Sequence, residues 1–391
     1  MSERLPEREH RVSPLELFFD LVFVFGFTQV TIVLSDNPTW SGLGHGVLLL
    51  SALWWAWASY AWLTNLADPN EALVWATLLV AMAAMFVAAL AVPTAFGRHG
   101  VVFGVSFLIV AAMHLALFAL SAHEDHDLLA GIARVAPWSL GGATVILAAG
   151  FVDGSLKAVL WLVALLIGLV GPLFVGVGGF RVQPAHFVER HGLIVIIAIG
   201  ESLVAIGFGA RETELTMGVI TAAVIGFVVA ASFWLAYFDF FTIRAEQLLT
   251  SRSGEPRTAL ARDVFTYLHL PMVGGIVLFA FAMKTTLAHI HHDLSTVPAF
   301  ALCWGPALYL LAYVGVRVRV SRQLGSGRLL AGIACATLLP VALVVPAIAA
   351  LSLLATIWIA LHAYELIWWR EARAETRAPA ASARRDTVTG T

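Results

Sequence analysis

The sequence predicts an all-α polytopic integral membrane protein with about twelve transmembrane helices, and two features carry that prediction. Apolar runs of about 20 residues, enough to cross some 30 Å of hydrocarbon, recur from end to end. Charges are too few to keep that surface in water: 60% of the 391 residues are hydrophobic and 12% charged, against roughly 25% charged in soluble domains. Continuous runs such as "LLLSALWWAWASYAWL" exclude a β-barrel, whose strands alternate polar and apolar residues.

Breaks at charges, Pro and Gly place the first six spans near 15–34, 43–65, 71–95, 101–120, 129–150 and 156–179. The second six fall near 187–209, 216–241, 264–286, 298–316, 328–344 and 348–369. The final stretch is too long for one span and, with Pro340 and Pro346 inside it, reads as a tight pair. Residues 1–14 form a charged cytoplasmic segment with no cleavage signal, so the first span is expected to stay as an anchor. Residues 371–391 read as a flexible cytoplasmic tail, reached through a short helical extension.

Arginine and lysine concentrate on the cytoplasmic side of membrane proteins. With the amino terminus inside and twelve spans, only Arg98, Lys157, Arg211 and Lys284 of the 23 basic residues fall outside. Both termini are therefore expected in the cytoplasm. Aromatic clusters such as Trp54, Trp55, Trp57, Tyr60 and Trp62, and Trp368 with Trp369, suit the headgroup interface. Net charge is −2, with no basic stripe, which argues against nucleic acid as a partner. Cys303 and Cys335 sit in apolar runs without ligand spacing, so neither a disulfide framework nor structural zinc is expected. The loops "HEDHD" at 123–127 and "HIHHD" at 289–293 need no metal to explain them, and no metal or cofactor is expected.

The halves 15–179 and 186–370 each hold six spans, and the second and eighth end alike, in "WASYAWLTN" and "SFWLAYFDFFT". An even span number would make such repeats parallel. Two parallel six-helix units are thus one reading of the chain.

Ionisable groups inside a span are costly unless paired or wetted, so they are the best functional pointers. In "SPLELFFDLVFVFGFTQVTIVL", Glu16 and Asp20 share a helical face, with Gln29 further along. Ser13, Pro14 and Glu16 also form a helix-start pattern, which alone could account for Glu16. In "HFVERHGLIVIIAIGESLVAIG", Glu189 and Arg190 fit a helix end among headgroups beside His186, whereas Glu201 lies about 18 Å beyond Glu189, near the midplane. Gly200 and Ser202 flank it with small groups, and its carboxyl implies a proton, a cation or a basic partner. Asp239, His269 and Glu365, with His362 nearby, reach similar depth on the cytoplasmic side and, with Asp20, could line a polar cavity. No Walker loop, HExxH, CxxC pair or GxSxG elbow points to an enzyme, and no catalytic residue is assigned.

The segments at 14–31, 64–70 ("TNLADPN"), 186–207 and 267–276 ("YLHLPMVGGI") closely resemble the bacterial low temperature requirement protein A family. The resemblance implies acidic groups at Glu16, Asp20 and Glu201, and includes Glu189–Arg190 and His269. Relatives often carry a basic residue soon after the Asp68–Pro69 position, where this chain has Glu71. The family's activity is not securely defined, so mechanism rests on the residues.

The expected function is a secondary transporter or ion-conducting protein. Its carboxylates would take up a proton, a monovalent cation or a small solute in a bilayer of lipid partners. A membrane-embedded lipid-modifying enzyme and a nonconducting sensor or assembly factor are the alternatives. A central aqueous cavity would favour the first, a groove open to lipid the second, and fully sealed polar pairs the third.

Overall fold

The computed structural model describes residues 12–66, 71–211, 214–239 and 241–368. Asp68, Pro69 and the tail from Trp369, named above, lie outside the described residues, as do Arg4, Arg8 and Arg11. The protein is an all-α, multi-pass membrane protein. Among the described residues, eleven helices are long and apolar enough to cross a membrane, and Ser326–Ala342 is a shorter apolar stretch.

The first half comprises α1 (Pro14–Asp36), α2 (Trp40–Thr64), α3 (Ala72–Ala91), α4 (Gly100–Ser121), α5 (His126–Ala149) and α6 (Ser155–Val175). After α7 (Pro184–Arg211) and α8 (Met217–Phe238) come two short helices, α9 (Phe241–Thr250) and α10 (Gly254–Ala261). A π-helical stretch, Arg262–Leu268, then runs into α11 (His269–Ala288), followed by α12 (Thr296–Ser321). The end is α13 (Ser326–Thr337), α14 (Leu339–Ala342) and α15 (Ala347–Trp368), broken at Pro340 and Pro346 as the sequence predicts.

The sequence reading assigns no element between the eighth and ninth spans, and this region is helical. Phe241, Ala245 and Leu249, four residues apart, bury one stripe of α9 against the bundle, a pattern short enough to pass for a loop.

Large apolar side chains point outward along the bundle, including Leu79, Val80, Phe86 and Leu90 on α3 and Leu162, Leu166 and Leu173 on α6. Glu16, Asp20, Arg190 and Glu201, inside apolar spans, point inward, the distribution lipid demands. Helices α1, α2, α7 and α11 form the centre: α1 packs on α2, α3, α7 and α11, and α7 on α1, α8 and α11. Neighbour relations run in parallel through the chain. In the first half α1–α2, α1–α3, α3–α4, α4–α5, α5–α6 and α2–α6 touch; in the second, α7–α8, α7–α11, α11–α12, α12–α13, α13–α15 and α8–α15.

One end of the bundle gathers several arginines. Arg181 pairs with Asp125 at 2.9 Å. Arg134 donates to the Gly178 carbonyl, Arg257 to the Val182 carbonyl, and the Thr258 hydroxyl to Phe180. These bonds tie the α6–α7 connection to α5 and α10, and define an arginine-rich face on which α1 and α7 both begin. The loop at 289–293 is occupied structurally: the Ile290 and His292 carbonyls accept from Ile348 and Ala347 at the start of α15.

Helix α1 starts with a reciprocal cap. Ser13 Oγ accepts from the Glu16 backbone N–H, and the Glu16 carboxylate accepts from the Ser13 N–H at 2.8 Å. Replacing Ser13 with Ala is expected to cost about 1 kcal/mol, readable as a loss of stability in equilibrium unfolding with SDS.

Candidate functional site

Helices α1 and α7 lie side by side and start alike, Pro14 after Ser13 and Pro184 after Gln183. Two of their polar contacts, His186 with Glu16 and Arg190 with Asp20, join residues 170 positions apart, so that these turns sit level. At the first level His186 Nε2 lies 3.0 Å from Glu16 Oε1. At the second, Arg190 Nη1 donates to Asp20 Oδ2 at 2.9 Å and to the Glu16 carbonyl at 3.0 Å. At the third, Glu201 faces Thr28 and Thr31, and the Thr28 hydroxyl donates to Glu201 Oε2 at 2.5 Å.

The first two levels make one sealed cluster: Glu16, Asp20, His186 and Arg190 are each no more than 2% exposed. Asp20 also accepts from Trp57 Nε1 at 2.8 Å, which draws α2 into the site. Arg190 lies 5.8 Å from the Trp57 ring centroid, over its face. Such burial is tolerable because each carboxylate finds a cation and further donors. Arg190 Nε and Nη2 have no hydrogen-bond acceptor among the described residues, although Nε lies 3.7 Å from Glu16 Oε1.

An aromatic box extends the cluster. His191 packs edge-on to Trp57 and Phe265, with its ring centroid 5.4 Å from that of His269. His191 Nδ1 bonds the Phe187 carbonyl, while Nε2 has no partner among the described residues. His269 Nδ1 is 2.9 Å from the Val264 carbonyl and Nε2 is 2.8 Å from the Tyr237 hydroxyl. A ring nitrogen facing a carbonyl must donate, so Nε2 accepts from Tyr237. The π-helical stretch shapes this wall: the Thr266 carbonyl accepts from Trp54 Nε1 at 2.8 Å, and its hydroxyl from Trp62 Nε1 at 2.9 Å.

The remaining residues scatter. Glu189 points outward, its carboxylate accepting from the Val12 N–H, whereas Arg190, expected beside it among headgroups, is buried, because adjacent helical residues face about 100° apart. Glu365 pairs with Arg328 at 2.7 Å, whose guanidinium lies 4.3 Å from the Tyr313 ring centroid. Asp239 caps the end of α8, His362 faces the Ser232 carbonyl, and Gln29 is half-buried outside the cluster. Asp20 and His269 thus meet through the aromatic box, while Glu365 is engaged by Arg328.

Sequence reasoning gave no role to His191 or Tyr237, and it assigned Trp57 to the headgroup interface, whereas its side chain is fully buried. His191 carried a usable signal, a histidine inside an apolar run directly after Arg190. Nothing in the sequence marked Trp57 among its neighbouring tryptophans.

The chain is a multi-pass membrane protein whose buried acids and bases are joined by intramembrane salt bridges. The chain belongs to the Bacterial low temperature requirement A protein (LtrA) family, whose pattern it matches over residues 11–363. It is 34% identical over 325 residues to an uncharacterized protein of Rhizobium meliloti (strain 1021), covering 79% of this chain and 78% of that one. No solved structure matches it.

Proposed function

We propose that this protein is a secondary transporter or ion-conducting protein, and that Glu201 is the group that takes up a proton or monovalent cation. One observation carries the reading. Glu201 is 2% exposed, yet among the described residues it forms no ion pair and is held by threonine hydroxyls. A carboxylate so placed is neutralised by a proton or a bound cation, since an isolated charge in that setting costs far more. It lies about 25 Å along α7, at 1.5 Å per residue, and the buried rings of Phe23 and Phe27 line α1 between it and the Asp20–Arg190 level.

The sealed character of that lower cluster favours a different part for it. Glu16, Asp20, His186 and Arg190 act as a latch that holds α1 against α7 on the closed side, so that movement of these helices admits the ion. Both termini lie in the cytoplasm, placing the latch on the inner face; the basic-residue bias supports this orientation. The two halves are parallel repeats. The matched neighbour relations, the paired Pro14 and Pro184 starts and the 170-residue register support this reading, and in it the latch joins equivalent positions across the repeat axis.

The test is flux of protons and of Na⁺ or K⁺ into sealed proteoliposomes, comparing wild type with Glu201→Gln. The amide preserves shape and the Thr28 contact but cannot exchange a proton or hold a cation by charge. Wild-type flux that falls at least tenfold in the variant, about 1.4 kcal/mol of barrier, is the expected result. Equal flux from both proteins would remove Glu201 from the pathway. No flux of these ions from folded wild type would leave a solute-coupled transporter, a lipid-modifying enzyme or a nonconducting sensor, the last of which the sealed latch favours.

A further inference from the structure

Away from α1 and α7, the arginine-rich region holds a cavity of about 610 Å³ between α9, α12, α13 and α15. Its composition is divided. Arg244, Arg317 and Arg328 line it together with Glu365, which Arg328 engages through two hydrogen bonds. Phe241, Leu248, Val316 and Val320 supply apolar wall beside them. A site for a small soluble anion has no use for that wall, and a purely hydrophobic groove has no use for the arginines.

The backbone at the rim is shaped for close approach. Gly325 has φ 70°, and a Cβ there would fall 2.8 Å from Arg317 Cδ and Nη1. Gly325 therefore lets the Arg317 side chain lie flat against the turn. The same glycine is the N-cap of α13 and offers no capping side chain, so the first N–H groups of that helix open onto the cavity rim at Ser326 and Gly327. Oriented N–H groups and guanidinium forks are the two devices that recognise phosphate oxygens. Exposed Leu324 and Leu330 on the same turn and helix continue the apolar surface outward from the rim.

We propose that this cavity binds the headgroup of an anionic glycerophospholipid. Arg244, Arg317 and the α13 amino terminus meet its phosphate, and an acyl chain lies along Val320 and Leu324. Basic pockets between membrane helices at the headgroup level suit this class of ligand. Occupancy would tie α9 to α12 and α13.

The experiment uses full-length protein in dodecyl maltoside and reads retention of added lipid by native mass spectrometry, together with the thermal midpoint. Phosphatidylglycerol is compared with phosphatidylcholine, and inorganic phosphate is added in a separate arm. Phosphatidylglycerol should be retained and should raise the midpoint, whereas phosphatidylcholine should do neither. Arg244→Gln with Arg317→Gln should weaken phosphatidylglycerol retention roughly thirtyfold, the ratio that two basic groups at about 1 kcal/mol each imply. Arg98→Gln with Arg211→Gln, elsewhere on the molecule, should leave retention unchanged. Should the first double variant fail to fold, Arg244→Gln alone, at an exposed position on α9, is expected to give roughly a fivefold loss by the same scale. Equal retention of the two lipids, retention unaffected by the arginine changes, or an equal midpoint rise with inorganic phosphate alone would overturn the assignment.

Discussion

Replacing Arg190 with Met is expected to destabilise the folded protein by about 3–5 kcal/mol. Arg190 is fully buried and donates to Asp20 and to the Glu16 carbonyl, with a second approach to the Glu16 carboxylate. The substitution leaves Asp20 with the Trp57 indole as its remaining named donor, and leaves a carboxylate charge in a dry helix junction. The penalty is that of the orphaned charge rather than the intrinsic worth of the pair. Removing both charges, Asp20→Asn with Arg190→Met, should therefore be less damaging than Arg190→Met alone. Equilibrium unfolding in SDS of the two single variants and the double gives the coupling. Effects that simply add, to within about 0.5 kcal/mol, would show that the two residues do not act as a latch. The conservative Arg190→Lys variant is expected to fall between, because lysine keeps the charge but loses the Nε approach to the Glu16 carboxylate and the planar group over the Trp57 ring.

The membrane character and the helix sequence were legible because lipid imposes a length and a composition on each span. The tight pair at α13–α15 was legible from Pro340 and Pro346. Helix α9 was not, since ten residues with three buried positions carry too short a period to separate from a loop. At the site, Glu16, Asp20 and Glu201 stood out because a carboxylate within an apolar run has no cheap explanation. Their partners were hidden for a definite reason. Depth along a helix follows from sequence at 1.5 Å per residue, but rotation about the axis and the identity of the facing helix depend on packing. Hence Glu189 and Arg190, adjacent in sequence, seemed to share a fate, while the level pairing of residues 16 with 186 and 20 with 190 became visible only when α1 and α7 were set side by side.

The same dependence on packing makes Gly275→Val a severe substitution, though glycine in a helix is ordinarily a weakness. Helices α11 and α12 cross backbone to backbone: a Cβ on Gly275 would fall 2.4 Å from the Gly305 carbonyl oxygen, and one on Gly305 would fall 2.7 Å from that of Gly275. Backbone atoms cannot rotate away as a side chain can, so a valine there must force the helices apart along their length. Overpacking in a core costs about 1–3 kcal/mol where side chains can adjust, and the rigid obstacle places this case at about 3 kcal/mol or above. Gly275→Ala should already be harmful for the same reason. Gly207, on the exposed side of α7 with nothing within 4 Å of a built Cβ, supplies the contrast. Alanine at Gly207 should be neutral or mildly stabilising, following the helix preference for Ala over Gly. Because α11 carries His269 and packs on α7, separation of α11 from α12 should also disturb the Tyr237–His269 bond and the aromatic box around His191. SDS unfolding of the three glycine variants distinguishes the cases, and a Gly275→Ala protein as stable as Gly207→Ala would mean that the crossing is looser than the contact at Gly305 requires.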